Sequence, residues 1–336
     1  MKNNNQKGGE NLESNGITKE ELNELSDIDS FKRWQRVERY YPETRYIPDG
    51  GKLKTGVISI PPRRQPLQSP YRRLYLVTAG SQTMLMVTDD IMYFDKEAET
   101  AAFADRAFNE AGVYVSYPME VGPYANETRV YTLYNFFTGE NLARRLPTLY
   151  VPQQHELGIE AGKQLKKLHS LTPNGGEKIG EQEDVFLLLT KLEERGIKYS
   201  GYKEAALYLK DHAEIIKKRP VNALHGDFSA NTLFLDKGLN VGMFPFTNPE
   251  WGDPIKDLTS LQDGYSLPFI KGVFKGLFDG APPSDFFELL AFYTTEMALS
   301  DIELSETEED RAVSILRAQK IAADLENYQS IIPVWY

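Results

Sequence analysis

Leu224-His225-Gly226-Asp227-Phe228-Ser229-Ala230-Asn231-Thr232-Leu233-Phe234-Leu235 decides how the rest of the chain is read. An apolar run enters a tight polar turn and a second apolar run leaves it, the pattern of two short strands flanking a loop. The loop presents a carboxylate, Asp227, and an amide, Asn231, four residues apart. Phosphoryl transfer uses such a pair: the carboxylate accepts or orients the proton of an attacking hydroxyl, and the amide helps hold a magnesium ion over the phosphates. His225 would brace the loop rather than react. A plain turn with an Asx-type hydrogen bond and a buried histidine fits the same residues, so the flanking sequence has to arbitrate.

Downstream come a turn at Asp236-Lys237-Gly238, the run Leu239-Asn240-Val241-Gly242-Met243-Phe244-Pro245-Phe246, then Glu250-Trp251-Gly252-Asp253-Pro254 and Asp257-Leu258. Upstream, Thr138-Gly139-Glu140-Asn141-Leu142 reads as a strand-to-helix turn. In this order the motifs resemble those of the aminoglycoside phosphotransferase and choline kinase-like family of small-molecule kinases. The resemblance spans most of the chain after about Arg72. It implies an α+β, two-lobed protein-kinase-like fold: a polar tail and short helices over 1–45, a sheet-plus-helix N-lobe over 46–136, and a mostly helical C-lobe over 137–336. The implied chemistry is transfer of the γ-phosphate of ATP or GTP, with Mg²⁺, to a hydroxyl of a small-molecule acceptor.

The resemblance also distributes roles. Asp227 is the expected catalytic base or hydroxyl-orienting group, and Asn231 the expected metal ligand. His225, Asp253 and Asp257 are expected to shape the site without reacting: Asp253 tightens its own turn, and Asp257 caps or braces the loop. Asn135 and Phe136 fall at the hinge where backbone groups meet the nucleotide base, and Glu99 is the expected helix partner of a phosphate-gripping cation, with Glu97 second. His169 ends a Leu-x-x-Leu-His pattern as a packing or capping residue, and Trp251 reads as core.

Two positions depart from the family pattern. Counting back from Gly252-Asp253-Pro254, the family's metal-binding aspartate falls on Pro245, which has no side-chain ligand. By register within Thr83-Met84-Leu85-Met86-Val87, its phosphate-gripping lysine falls on Met86, which carries no charge. Asn248 or Glu250 could stand in for the first loss, and Arg72 or Arg73 for the second. Arg72 and Arg73 read more simply as surface arginines. The expectation is therefore a kinase-like fold with impaired chemistry; the alternative is a catalytically inactive module that binds a small molecule or another protein.

Elsewhere, patterns supply the elements. Residues 1–15 are polar and read as a disordered tail. Thr18 with Glu21 forms a capping box that opens a short helix, and a second helix is expected around Phe31-Lys32-Arg33-Trp34. A partner-docking arm is the functional alternative for this segment. The Pro- and Gly-rich stretch over 48–70 reads as a linker with one short strand at 57–60. Leu74–Val77 and Thr83–Val87 form a hairpin, a helix runs from Asp95 to about Glu110 and stops at Gly112, and Arg129–Tyr134 is a strand. Leu157, Ala161, Leu165 and Leu168 mark one helix face, and amphipathic helices follow over 183–196, 203–218, 285–300 and 306–328.

Composition narrows the partners. The 336 residues carry a net charge of −11, which argues against nucleic acid and anionic membrane and suits a cationic acceptor. With no cysteine, disulfides and thiolate metal sites are excluded. No apolar stretch reaches a membrane span of about 18 residues and no signal peptide is recognised, so the expected compartment is the cytoplasm.

Overall fold

The computed structural model describes residues 33–36, 72–79, 82–135, 139–175, 184–246, 248–261 and 266–336. The helix expected from Thr18, the strand over 57–60 and Phe136 lie outside the described residues. In chain order the strands are β1 (Arg33–Arg36), β2 (Arg73–Ala79), β3 (Gln82–Asp90), β4 (Pro118–Tyr124), β5 (Arg129–Asn135), β6 (Gly139–Asn141), β7 (Asn222–Leu224), β8 (Leu233–Asp236), β9 (Val241–Met243) and β10 (Glu250–Gly252). The α-helices are α1 (Phe94–Asn109), α2 (Leu142–Arg145), α3 (Val151–Leu168), α4 (Val185–Glu194), α5 (Tyr202–His212), α6 (Leu267–Phe278), α7 (Phe286–Glu303) and α8 (Glu308–Asp324).

Two compact units result. The first gathers β1, Gln65–Glu140 and Phe234–Thr247; the second includes Asn141–Leu233 and Asn248–Tyr336. In the first, an antiparallel sheet runs β1-β2-β3-β5-β4. Its edge strand β4 tolerates Pro118 and Pro123, because an edge residue has no ladder bond to lose on its outer side. The helix expected around Phe31–Trp34 is instead β1, which pairs with β2 from Arg33↔Thr78 to Arg36↔Tyr75. So short a segment cannot repay helix nucleation, and ladder bonds to β2 decide its state.

Helix α1 follows β3 after a turn capped by the Asp90 side chain, which accepts from Met92 N–H at 3.0 Å. Its buried positions, Glu97, Thr100, Ala101, Phe103, Ala104 and Ala107, follow the helical repeat. The one ionisable residue among them is Glu97.

The second unit is mostly helical. Helix α7 is buried on every side, with Phe286, Leu289, Phe292, Tyr293 and Leu299 all at 2% exposure or less, so it forms the centre of this unit's core. Helices α3 and α6 approach backbone to backbone through Gly158 and Gly162 on one side and Gly272 and Gly276 on the other. A methyl group at Gly158 would stand 2.1 Å from the Phe269 carbonyl oxygen. Strands β7 and β10 pair antiparallel, Leu224 opposite Glu250, and bring the turn after β7 beside the chain entering β10.

Candidate catalytic site

The loop after β7 is held by its own short-range bonds and by one carboxylate. Gly226 takes φ +79°, and an added Cβ there would lie 2.0 Å from the Asn248 carbonyl oxygen, so the loop's first turn admits glycine alone. Thr232 Oγ1 donates to the Asp227 carbonyl at 2.8 Å and accepts from Ser229 N–H at 3.1 Å, which closes the helical turn Ala230–Thr232. Asn141 Nδ2 donates to the Asn231 carbonyl at 2.8 Å, tying the Gly139-Glu140-Asn141 turn to the loop.

Asp257 is the central brace. One of its oxygens accepts from Gly226 N–H at 2.9 Å. The other accepts from His225 N–H at 2.8 Å and lies 2.8 Å from His169 Nε2. The carboxylate is buried, and three donors satisfy it. His225 Nδ1 accepts from Asp227 N–H at 3.3 Å, which fixes the neutral ring with its proton on Nε2. Burial pushes the His225 pKa below its ordinary value, against the opposing pull of the Asp257 and Asp227 charges. Asp227 and Asn231 themselves are half-buried. The arrangement fixes a carboxylate and an amide on a stiff loop beside a neutral histidine, which suits orienting a hydroxyl.

Asp253 serves the turn that follows. It accepts from Ile255 N–H at 3.1 Å, from Arg219 Nε at 2.5 Å and from Tyr293 Oη at 3.0 Å. Arg219 Nη1 continues to Asp285 at 3.1 Å, so helix α7 is anchored to this turn at two points. Trp251 is 6% exposed and belongs to the core.

In the first unit, where Met86 left no ion pair to expect, one is built from other residues. Glu99 is exposed. Glu97 is buried, accepts from Thr132 Oγ1 at 3.4 Å, and is bonded by Arg72 Nη1, which also reaches Asp89 at 3.5 Å. Glu97 therefore replaces Glu99 as the helix acid, because it lies on the stripe of α1 that faces the sheet. Met86 also requires correction. Thr132, bonded to Glu97, sits directly opposite Val87, so Val87 faces α1 and Met86, one residue earlier, faces the other way. The one-residue register that placed the family's cation at Met86 is on the wrong face for an ion pair with α1. The two arginines expected at the surface are intermediate in exposure, and Arg72 is bonded to buried acids.

Asn135, expected at the hinge, closes β5. Its N–H donates to the Tyr117 carbonyl at 3.1 Å and its side-chain oxygen accepts from Tyr117 N–H at 2.6 Å. Pro245 is buried, between Phe244 at 4% and Phe246 at 0% exposure, and Phe246 meets Phe103 of α1 edge-on at 5.0 Å. The segment Phe244–Phe246, where the resemblance expects a metal-binding aspartate, is an apolar plug against α1.

Magnesium demands several oxygen ligands in octahedral order. Of the two positions at which the resemblance expects side-chain ligands, Asn231 carries an oxygen and Pro245 carries none. Asn248 and Glu250, the conceivable substitutes, are bonded to each other at 2.6 Å.

Comparison with known proteins agrees with the motif order. The fold is protein-kinase-like, as in the small-molecule kinases. The chain belongs to the phosphotransferase enzyme family (APH), which it matches over residues 68–286. It is similar to an aminoglycoside 2'-phosphotransferase IIIa variant solved with GDP (12% identity, 82% of this chain and 96% of that one, TM-score 0.64). It is similar to the streptomycin–ATP ternary complex of APH(2")-IIa (15% identity, 78% and 92%, TM-score 0.55). It also resembles a choline/ethanolamine kinase family protein from Mesorhizobium loti (16% identity, 78% and 87%, TM-score 0.54). No curated protein matches by sequence.

Sequence reasoning named Arg72 only as a conceivable stand-in that read more simply as a surface arginine, and it gave no bonding role to Asn141 or Thr232. The α1 periodicity carried a signal for the pair in the first unit, since Glu97 shares a stripe with Ala101 and Ala104 and Glu99 does not. No comparable signal marked Asn141 or Thr232.

Proposed function

We propose that this chain is a kinase-fold protein that engages ATP or GTP weakly and whose transfer of the γ-phosphate to a small-molecule hydroxyl is impaired. In this reading Asp227 orients the acceptor hydroxyl and takes its proton. His225, His169 and Asp257 keep the loop in shape, and Asn231 contributes the one amide the family directs at its ion. The observation that carries the impairment is Pro245, buried in an apolar plug where the family has a carboxylate. Charge neutralisation supplies much of phosphoryl-transfer catalysis, and losing one such contact commonly costs about 10²–10³ in rate. The protein's own net charge of −11 favours a cationic acceptor.

A second reading, an inactive module that binds a small molecule or a protein, draws on the same proline together with the absence of a cation at every α1-facing position from Leu85 to Asp89 of β3. Thermal-shift titration with ATP or GTP, alongside a phosphate-release and acceptor-transfer assay, separates the two. Stabilisation at millimolar nucleotide with slow transfer, lost in Asp227→Ala, supports the impaired kinase. Stabilisation with no transfer to any hydroxyl supports the module. Brisk transfer, at rates ordinary for kinases of about 1–100 s⁻¹, removes the claim of impairment.

A further inference from the structure

The site described so far gives Arg72 no work beyond bonding two acids. The guanidinium lies just before β2, where Arg73 pairs with Thr88, so Arg72 comes level with Asp89 on β3. Its side chain is 14% exposed, while Glu97 and Asp89 are 4% and 3% exposed. Burial alone would lower the Arg72 pKa, but Glu97, then Tyr134 and Asp89, hold it above its ordinary value, so the charge is permanent. Both bonds to the acids use one nitrogen, Nη1; among the described residues Nε and Nη2 donate to neither acid. A guanidinium carries five N–H donors in a planar fork that matches the oxygens of a phosphate. Anchoring one corner while leaving the other donors spare is how such a fork is pre-organised for an anion. As a strut alone the arrangement is weak, since a buried ion pair adds little net stability.

The α1-facing residues of β3 are Leu85, Val87 and Asp89, none of them cationic. We infer that Arg72 is a polyphosphate-positioning residue, supplying from the start of β2 the cation that β3 does not carry, with Glu97 of α1 as its anchor. The inference rests on the nucleotide reading above and names the residue through which the phosphates are held. It also explains why the grip is weak: one cation faces two acidic side chains, and Asp89 competes with any phosphate for the guanidinium.

The test is calorimetric titration of ATP, and separately of adenosine, into the full chain as wild type, Arg72→Lys, Arg72→Ala and Asp89→Asn, with thermal melts confirming the fold of each. Arg72→Ala is expected to weaken ATP about tenfold or more and leave adenosine unchanged, and Arg72→Lys to fall between. Asp89→Asn is expected to tighten ATP severalfold, an effect that a merely structural cluster would not give. Wild-type ATP affinity in Arg72→Ala, or parallel losses for ATP and adenosine, overturns the inference and leaves the nucleotide reading standing. If Arg72→Ala fails to fold, unchanged or weaker ATP binding by Asp89→Asn overturns it. Failure of every chain, wild type included, to bind ATP, GTP or adenosine overturns the nucleotide reading and this inference together.

Discussion

Asp257 uses both carboxylate oxygens on the loop after β7 and on His169, and it does so from a buried position. Asp257→Ala strips a partner from two backbone N–H groups and from His169 at once. Unsatisfied buried donors cost about 1–3 kcal/mol each, so a loss of at least ~3 kcal/mol is expected in urea unfolding, together with loss of any nucleotide-dependent stabilisation. Asp257→Asn keeps the shape and one good acceptor and should lose less. Gly226→Ala is the sharper local probe. It forces a side chain to φ +79° and toward a carbonyl oxygen 2.0 Å away, so it should cost about 2 kcal/mol or more, whereas Gly175→Ala, with nothing within 4 Å, should cost little. Met86→Lys, which a register one residue off would suggest as a restoration, instead places an ammonium at 0% exposure on the face away from α1. It should lower the melting temperature with no gain in ATP affinity.

At the scale of elements, the α3–α6 contact sets the packing of the second unit. Gly272→Ala brings a methyl within 2.2 Å of the His155 carbonyl oxygen and 2.9 Å of the Gly158 Cα, so the two helices must separate. Overpacking of this kind typically costs about 1–3 kcal/mol, readable as a lower denaturation midpoint at unchanged slope. Helix α6 was not legible in the sequence because Gly272 and Gly276 weaken helix propensity, and their reason for being there is a partner far away in the chain. Strand β1 was misread for a related cause: its state depends on β2, some 40 residues away. The loop after β7 and the helix faces of α1 and α3 were legible, since turn chemistry and periodicity are local signals. The ion pair of the first unit was not foreseen, because the cation was sought on β3 and Arg72 read as a surface residue. Glu97 was available from the α1 stripe, while which of Met86 and Val87 faces α1 is a one-residue question that alternation alone cannot settle when both faces of β3 are buried.

For the whole molecule, the buried neutral His225 makes stability depend on pH with a definite sign. An unfolded histidine titrates near 6.5, and the folded one lies lower. The unfolded chain therefore binds the extra proton, and stability is fully present above about pH 7 and declines as pH falls below about 6.5 toward the folded value. Urea midpoints measured from pH 8 to pH 5 should show this decline, and His225→Gln should flatten that part of the slope. A decline that survives the substitution unchanged would assign it to other groups.

The proposed function rests on a phosphotransferase-family chain that keeps the Asp227–Asn231 loop and carries a buried proline, Pro245, where the family resemblance expects a metal-binding carboxylate. The most direct measurement is the affinity of the full chain for ATP, titrated once with millimolar Mg²⁺ and once with EDTA. The account predicts dissociation constants within about twofold of each other, since without a side-chain ligand at Pro245 the ion gains little differential hold. Tightening of ATP by tenfold or more with Mg²⁺, abolished by Asn231→Ala, would contradict it.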